Sequence, residues 1–275
     1  MRIYHSACEL GKRGKEVLGI RKISILRSFH PRPNHERPEY CDNMFLDSGA
    51  YSAHTRGVAI DLDKYCSYVQ EHGHRWSIYA SLDVIGDAKA TYQNQLIMER
   101  RGLKPLPCFH FGEDPKWLDQ YIDLGYENLA LGGMVGSTNP NELVWFKMCF
   151  RLIEKADRPI RVHGYGMTDP KIMHMFPWFS VDSTTAHMAA KVGLLITPDG
   201  FRHVWTGGRN KDYTSKGAME KLRDWAHDFH PGLDWDLASE YAGEGQVYRT
   251  ALNVSFMEEE WTKPPSKKGG GFGLL

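Results

Sequence analysis

The segment that decides the fold is Met44-Phe45-Leu46-Asp47-Ser48-Gly49-Ala50-Tyr51, an apolar run that ends in a carboxylate and a turn of small residues. A similar arrangement recurs at Trp178-Phe179-Ser180-Val181-Asp182-Ser183-Thr184. Each run predicts a buried strand that places an aspartate at its end. Two carboxylates held in this way are the groups that substitution at a sugar C1′ carbon requires, so the pattern predicts an enzyme that acts on a glycosidic bond.

Short apolar runs alternate along the chain with longer stretches of helical periodicity. Strands are predicted at 44–47, 77–83, 106–111, 127–133, 160–164 and 178–182, and helices at 62–72, 88–101, 115–124, 140–156, 170–176 and 186–192. This order predicts a parallel sheet with right-handed crossovers, and segments 3–29 and 194–205 could supply two further strands. A doubly wound open sheet is disfavoured because no glycine-rich phosphate loop follows the first strand. We therefore predict an α/β fold, a single-domain (β/α)8 TIM barrel over residues 1–262, with a flexible tail over 263–275.

Composition excludes several classes of protein. The 275 residues are 41% apolar and 25% charged, and no apolar run approaches the length of a membrane span. The first residues lack the features of a secretory signal, which predicts a cytoplasmic protein, in the host cytoplasm if a phage encodes it. The five cysteines are widely spaced and form no Cys-x-x-Cys pair, so neither a disulfide framework nor a bound metal is predicted.

Every predicted strand ends in a reactive or small residue, and in a barrel these ends converge on one face. Asp83 joins Asp47 and Asp182 there; three aspartates favour a shared site over three independent helix caps. His110 and His163 have no carboxylate or second histidine at metal-ligand spacing, so they are predicted to be hydrogen-bonded histidines that line the pocket.

Two other features of the strand ends are compatible with a planar ligand. Tyr51 could stack on such a ligand or pack in the core. Gly132 and Gly133 permit a close backbone approach to a heterocycle, although taken without the other strand ends they would favour a tight turn with no ligand. Ser48, beside Asp47, is a further candidate for substrate contact.

Basic residues are balanced by acidic ones, 34 against 34, so any contact with nucleic acid must be local. The best candidate is the stretch from Arg202 to Arg223, in which Arg202, Arg209 and Lys211 are interleaved with Trp205 and Tyr213. A phosphate-binding patch and a solvated helical face both explain this stretch.

These motifs resemble those of the tRNA-guanine transglycosylases and, more closely, of the phage and bacterial transglycosylases that insert 7-deazaguanines into DNA. The segment 47–51 looks like the family's Asp-Ser-Gly-Gly-Tyr, and Leu82-Asp83 looks like the strand end whose carboxylate reads the base. The segments 131–136, 163–166 and 180–183 are similar to three further family motifs in the same order. The resemblance covers roughly residues 44–190.

The resemblance implies roles for the site residues. Asp182 would be the nucleophile and Asp47 the general acid and base, while Tyr51 would stack on the base. Asp83, Gly132 and Gly133 would read the heterocycle, with His110 in the position of a base-reading glutamine of the family. The implied substrates are DNA, with the target nucleotide extruded from the duplex, and a free 7-deazaguanine base, and no cofactor is required.

The motifs are compatible with three other functions. A tRNA-guanine transglycosylase is the nearest one, but the Cys-x-Cys-x-x-Cys zinc motif of the tRNA enzymes does not occur after Asp182. A glycoside hydrolase that uses Asp47 and Asp182 and a non-catalytic nucleic-acid-binding barrel are the others. The double glycine and Tyr51 suit a flat ring better than a second sugar, and a binding-only protein leaves the paired aspartates unexplained.

Overall fold

In the computed structural model, which describes residues 1–31, 33–133, 141–204 and 216–263, the chain folds around a sheet of eight parallel strands. Of Lys216 only the backbone is described. The strands are β1 (Arg2–Ser6), β2 (Ile23–Ser28), β3 (Cys41–Asp47), β4 (Ile78–Tyr79), β5 (Cys108–His110), β6 (Asn128–Gly132), β7 (Arg161–Gly164) and β8 (Ser180–Ser183). Hydrogen-bonded neighbours follow the order β4-β3-β2-β1-β8-β7-β6-β5.

The sheet curls so that strands far apart in this order meet across its concave side. Phe45 of β3 and His163 of β7 have ring centroids 4.8 Å apart, although three strands separate them in the ladder. Beyond β4 and β5, Ala80 and Leu106 form an isolated parallel bridge, in which the Leu106 amide donates to the Tyr79 carbonyl at 2.8 Å. The predicted eight-stranded parallel sheet is confirmed, but within the described residues no continuous ladder joins β4 to β5.

Alternation of side chains along the strands separates two apolar cores. Residues on the convex side pack against the helices, among them Ile3, Ile25, Met44, Phe109 and Val181. Their neighbours in sequence point to the concave side and form an inner cluster that includes Tyr4, Leu26, Phe45, Cys108 and Ala130. Because both faces are buried, the strands read as near-continuous apolar runs in the sequence.

Helices cover the convex side. They are α1 (Lys12–Leu18), α2 (Ala50–Thr55), α3 (Leu62–His72), α4 (Ala88–Arg100), α5 (Lys116–Asp123), α6 (Glu142–Glu154), α7 (Pro170–Met175), α8 (Thr185–Lys191), α9 (Lys216–Phe229), α10 (Trp235–Ser239) and α11 (Glu244–Phe256), with a 3₁₀ turn at Gly73–Arg75 and a π turn at Met257–Trp261. Aspartate caps set several starts, as at Asp61, whose carboxylate accepts from two amides of α3. Within the part of the chain that the structure describes, no helix has both the length and the apolar character needed to cross a bilayer.

One prediction about the strands is wrong. The segment 194–205 does not join the main sheet but forms an antiparallel hairpin of β9 (Leu194–Thr197) and β10 (Gly200–His203). Two residues join these strands, a connection too short for parallel pairing. The hairpin packs on the last helices through a third apolar cluster, separate from the two cores of the main sheet, that includes Leu195, Val204, Leu222 and Leu252. Both missing strands of the main sheet come from the N-terminal stretch instead. Residues 264–275 of the predicted tail lie outside the described residues.

Candidate active site

The two aspartates singled out in the sequence stand on the concave side of the sheet, at the carboxyl ends of their strands. Asp47 ends β3, two positions after the inner-core residue Phe45. Asp182 lies in β8 and is paired in register with Tyr4, another inner-core residue. Because alternate residues of a strand share a face, the sequence period brings both carboxylates to the mouth of the curled sheet.

Asp47 is held by the turn that follows it. Its Oδ2 accepts from the Ser28 hydroxyl at 3.1 Å and from the Gly49 amide at 3.0 Å. Gly49 has φ +78°, and a Cβ atom there would lie 2.7 Å from the His30 carbonyl oxygen, so no other residue fits without movement. The small-residue turn in the sequence is therefore what orients this carboxylate.

The pKa of Asp47 is raised from its ordinary value of 3.8 to about 7. Burial contributes most, and the negative charges of Asp182 and Asp83 add to it; the hydrogen bonds from Ser28 and Gly49 act in the opposite direction. The strand register places Asp47 and Asp182 on the same concave side of the sheet, and the charges of Asp182 and Asp83 act on Asp47 there.

Asp182 is oriented by β7 and the loop after it. Its Oδ1 accepts from the Gly166 amide at 2.9 Å and lies 3.4 Å from Nε2 of His163. The other ring nitrogen of His163 lies 2.9 Å from the Ser180 hydroxyl oxygen. His163 is 2% exposed and is held through Nδ1, while its Nε2, without a hydrogen-bond partner among the described residues, faces the nucleophile candidate.

The prediction that His110 has no carboxylate nearby is wrong. Its Nε2 lies 3.3 Å from Oδ2 of Asp83, and its Nδ1 lies 3.1 Å from Oε1 of Glu113. The other Glu113 oxygen accepts from the His110 amide at 2.8 Å. Asp83 comes from the segment after β4 and reaches His110 because the two ends of the strand ladder meet there. Burial alone would lower the pKa of His110, but Cys108 and the Asp83 carboxylate raise it well above its usual range.

Tyr165 is a site residue that the sequence reasoning missed. Its hydroxyl is buried and has no hydrogen-bond partner among the described residues. Burial, followed by the charges of Asp47, Cys108, Asp83 and Asp182, raises the pKa of this phenol well above its usual range. Its ring lies on the concave side, with its centroid 4.8 Å from that of His163 and 5.8 Å from that of Phe45. Its position two residues after His163 is the signal that could have found it, since both share the concave face.

The remaining predicted residues near the mouth have mixed surroundings. Ser48 is buried, and its hydroxyl accepts from the Ala50 amide at 3.3 Å. Tyr51 lies in the first turn of α2 with 47% of its surface exposed. Gly132 and Gly133 are closely packed against β5: a Cβ atom on Gly132 would lie 3.1 Å from Sγ of Cys108, and one on Gly133 would lie 2.9 Å from the Phe111 nitrogen. Their predicted contacts with a ligand stay predictions.

The predicted nucleic-acid contacts fall on or beyond the hairpin. Arg202 is an exposed residue of β10, outside the main sheet. Arg209 and Lys211, together with Trp205 and Tyr213, lie outside the described residues, as do Met134 to Gly136 of the glycine-rich loop.

Three residues of the site have the chemistry of metal ligands. Within the described chain, ligand atoms of Asp83, Cys108 and His110 lie within 4.8 Å of one another. The sequence offered Cys108 with His110 as ligands that could be joined by a distant residue, and the structure brings Asp83 to them. Burial raises the pKa of the Cys108 thiol to about 12.

Comparison with protein-family models found no family that the chain matches, and a search of curated protein sequences found no significant match. The functional class therefore rests on the motifs and on the geometry of the site.

Proposed function

We propose that the chain is a guanine transglycosylase that replaces guanine in DNA with a 7-deazaguanine base through a covalent intermediate on Asp182. The observation that carries this proposal is the position of Asp47 and Asp182 on the concave side of the sheet, where burial first, and then the charges of Asp182 and Asp83, raise the pKa of Asp47 to about 7. Two carboxylates in unlike surroundings suit the separate roles of nucleophile and acid/base catalyst in a retaining substitution.

The proposal includes a (β/α)8 barrel as the scaffold. The bridge between Ala80 and Leu106 supports it, since this bridge links the two ends of the strand ladder. The contact of Phe45 with His163 across the concave side supports it as well. In a barrel the carboxyl ends of all strands border one pocket, which is where active sites of that fold are built.

In the first step Asp182 attacks C1′ of the target guanosine. The bond from C1′ to the guanine nitrogen breaks, and Asp47 gives its proton to the departing base. The product is an ester between Asp182 and the deoxyribose, formed through an oxocarbenium-like transition state. The hydrogen bond from the Gly166 amide fixes Asp182 for this attack.

In the second step a 7-deazaguanine enters where guanine left. Asp47, now ionised, removes the proton from the nitrogen that attacks C1′, and the ester bond to Asp182 breaks. Two inversions give net retention of configuration at C1′. A carboxyl with a pKa of about 7 can act in both directions near neutral pH, which supports the assignment of both proton transfers to Asp47.

Recognition of the base is assigned to polar groups around the same pocket. Asp83 and His110 would hydrogen-bond the edge of the heterocycle, and Tyr51 would stack on its face. Tyr165 adds a donor, because its buried hydroxyl has no partner among the described residues. A buried polar group without a protein partner is costly unless a ligand or water satisfies it, so the pocket suits a polar guest.

DNA is proposed as the polymer rather than tRNA. The zinc motif that the tRNA enzymes carry after the nucleophile does not occur between Asp182 and Leu275. Arg202, Arg209 and Lys211 are proposed to contact phosphates of the duplex, with the aromatic residues between them available to stack on an unpaired base.

The test is exchange of labelled guanine into polymer. Wild-type protein is incubated with labelled guanine and equal guanine content as DNA and as tRNA, and label in each polymer is counted after separation. We expect label in DNA and a covalent protein–DNA adduct on a denaturing gel, with both lost in Asp182→Asn. Asp123→Asn, which removes an exposed carboxylate at the end of α5, is the control.

Each other outcome contradicts a defined part of the proposal. Preferential labelling of tRNA would overturn the assignment of DNA and leave the base-exchange chemistry in place. No label in either polymer and no adduct would refute the transglycosylase assignment. Release of sugar from an oligosaccharide panel, abolished by Asp182→Asn, would favour a glycoside hydrolase.

A further inference from the structure

One group of potential metal ligands in the site combines Asp83 and His110, which the proposed function assigns to base recognition, with Cys108, to which it gives no role. Asp83, Cys108 and His110 bring one carboxylate oxygen, one sulfur and one imidazole nitrogen within 4.8 Å of one another. Cys108 is 2% exposed, and the side chains of Asp83 and His110 are each 10% exposed. Three unlike ligand atoms are thus gathered from two strand ends inside the pocket.

We propose that Asp83, Cys108 and His110 form a zinc site with three protein ligands and one open coordination position. Nitrogen, sulfur and carboxylate oxygen are the ligands that Zn²⁺ takes in proteins, and three protein ligands with an open fourth position are typical of a catalytic or substrate-binding zinc. Ligand atoms around tetrahedral zinc lie roughly 3.3 to 3.8 Å apart, given bonds of about 2.0 to 2.3 Å. His110 Nε2 and Asp83 Oδ2 already lie 3.3 Å apart.

The contacts behind His110 support a metal. Glu113 holds Nδ1 of the ring at 3.1 Å and the His110 amide at 2.8 Å, which leaves Nε2 directed toward Asp83. A carboxylate that fixes one ring nitrogen so that the other can bind a metal is the usual outer contact of a zinc-bound histidine.

Two further observations distinguish a metal site from a simple ion pair of His110 with its two carboxylates. The side chain of Asp83 is nine-tenths buried, and its Oδ1 atom has no hydrogen-bond partner among the described residues. The sulfur of Cys108, whose contact with the Phe109 carbonyl oxygen is long at 3.9 Å, takes no part in an ion pair of His110 with its two carboxylates. Zinc would use both groups.

Charge balance is favourable as well. Zinc binding would release to solvent the thiol proton of Cys108 and the proton that His110 carries on Nε2, leaving a thiolate and the Asp83 carboxylate to neutralise the two charges of the ion. The ion and its three ligands then carry no net charge, and the ion offsets negative charge in a buried region that also holds the Glu113 carboxylate. In the metal-loaded protein Asp83 and His110 would act on the heterocycle through the metal rather than directly. This role in base recognition rests on the proposed function, whereas the zinc site itself is independent of it.

Cobalt substitution provides the test. The full chain, stripped of metal with a chelator and shown by circular dichroism to stay folded, is titrated with Co²⁺ alone. We expect about one Co²⁺ per chain, a thiolate-to-cobalt charge-transfer band, and displacement of that band by one equivalent of Zn²⁺. Metal analysis of the protein purified without chelator should find about one zinc per chain.

Variants test whether the charge-transfer band arises from the proposed ligands. Cys108→Ala should lose the charge-transfer band and weaken binding at least 100-fold, whereas Cys149→Ala, which removes another fully buried thiol, should keep both. His110→Gln should weaken binding similarly, so the result does not depend on the folding of one variant. A wild-type protein without the band, or an unchanged band in Cys108→Ala, would overturn the site.

The guanine exchange assay separates this inference from the proposed function. Stoichiometric metal without any exchange refutes the transglycosylase and keeps the zinc site. Exchange by a protein that binds no Co²⁺ or Zn²⁺ refutes the zinc site and keeps the transglycosylase.

Discussion

Nε2 of His163 lies 3.4 Å from Oδ1 of Asp182, and the same oxygen accepts a hydrogen bond from the Gly166 amide at 2.9 Å. The other nitrogen of the ring lies 2.9 Å from the hydroxyl oxygen of Ser180, two residues before Asp182. The histidine is therefore anchored on β8 through Ser180, and its Nε2, which makes no hydrogen bond among the described residues, faces the carboxylate that the Gly166 amide holds. This makes His163 a positioning residue for the proposed nucleophile.

His163→Ala is expected to lower the rate of guanine exchange about 10- to 100-fold with little change in KM, because misplacement of a reacting group by about 1 Å can cost 100-fold. His163→Gln should recover part of the rate, since an amide can donate to Asp182 in place of the ring. Steady-state kinetics check this, with His227→Ala on the exposed face of α9 as the control. An equal loss in kcat from His227→Ala, or a change confined to KM, would contradict the positioning role.

Asp47 should make the stability of the fold depend on pH. Its pKa is 3.8 in ordinary surroundings and about 7 in the folded protein, because burial and the charges of Asp182 and Asp83 favour the protonated form. Between these values the folded chain keeps a proton that the unfolded chain has lost. The stabilisation by that proton is complete below pH 3.8 and is lost as the pH rises through about 7.

Asp47→Asn should remove this dependence. Each pKa unit corresponds to about 1.4 kcal/mol, so we expect the variant to be more stable than wild type by up to about 4 kcal/mol at pH 8 and by less than half of that at pH 5. Urea unfolding at several pH values measures the difference, and Asp123→Asn controls for removal of one negative charge. If the unfolding free energies of wild type and Asp47→Asn change with pH in parallel, the pKa of Asp47 is not raised in the folded protein.

Gly49 and Gly57 flank α2 and offer a matched pair of substitutions. Both have positive φ, +78° and +65°, but an alanine Cβ at Gly49 would lie 2.7 Å from the His30 carbonyl oxygen, whereas no atom of the described residues lies within 4 Å of one at Gly57. Gly57→Ala should cost about 1 kcal/mol of unfolding free energy from the left-handed backbone alone. Gly49→Ala should cost about 1–3 kcal/mol more, because the clash is added.

Gly49→Ala should also slow guanine exchange, since the Gly49 amide donates to Asp47 at 3.0 Å. Urea unfolding and the exchange rate measure the two effects. Equal destabilisation by the two substitutions would mean that the contact with His30 does not hold the turn.

The basic stretch after the hairpin carries a prediction about DNA. Replacing Arg209 and Lys211 together by alanine should weaken duplex binding and reduce the slope of log Kd against log salt by about 2, one for each phosphate contact. Affinity for free guanine should not change. Lys89→Ala with Arg100→Ala removes the same charge from exposed positions of α4. If both double variants weaken binding equally, the effect is one of net charge and not of a specific patch.

Local patterns in the sequence were sufficient for much of the fold. The helix predicted at 62–72 coincides with α3, because helical periodicity and the capping Asp61 are properties of neighbouring residues. The strand ends at Asp47 and Asp182 were predicted for the same reason, since the period of a strand decides which side chains share a face. The hairpin of β9 and β10 had a signal that was overlooked: Pro198-Asp199-Gly200 is a turn sequence between two apolar runs, and it predicts antiparallel pairing.

Only the tertiary structure decided which distant residues meet. Asp83 reaches His110 because the segments after β4 and before β5 come together, and Glu113 completes the group from the turn that follows. Tyr165 meets a residue of β3 across the concave side because the sheet curls. The spacing of His163 and Tyr165 indicates only that they share a face of the sheet; which residues from other strands meet them depends on strand register and sheet curvature, which arise from the packing of the whole chain. The sequence by itself determined which residues end the strands, and the curl of the sheet decided which of them share a site.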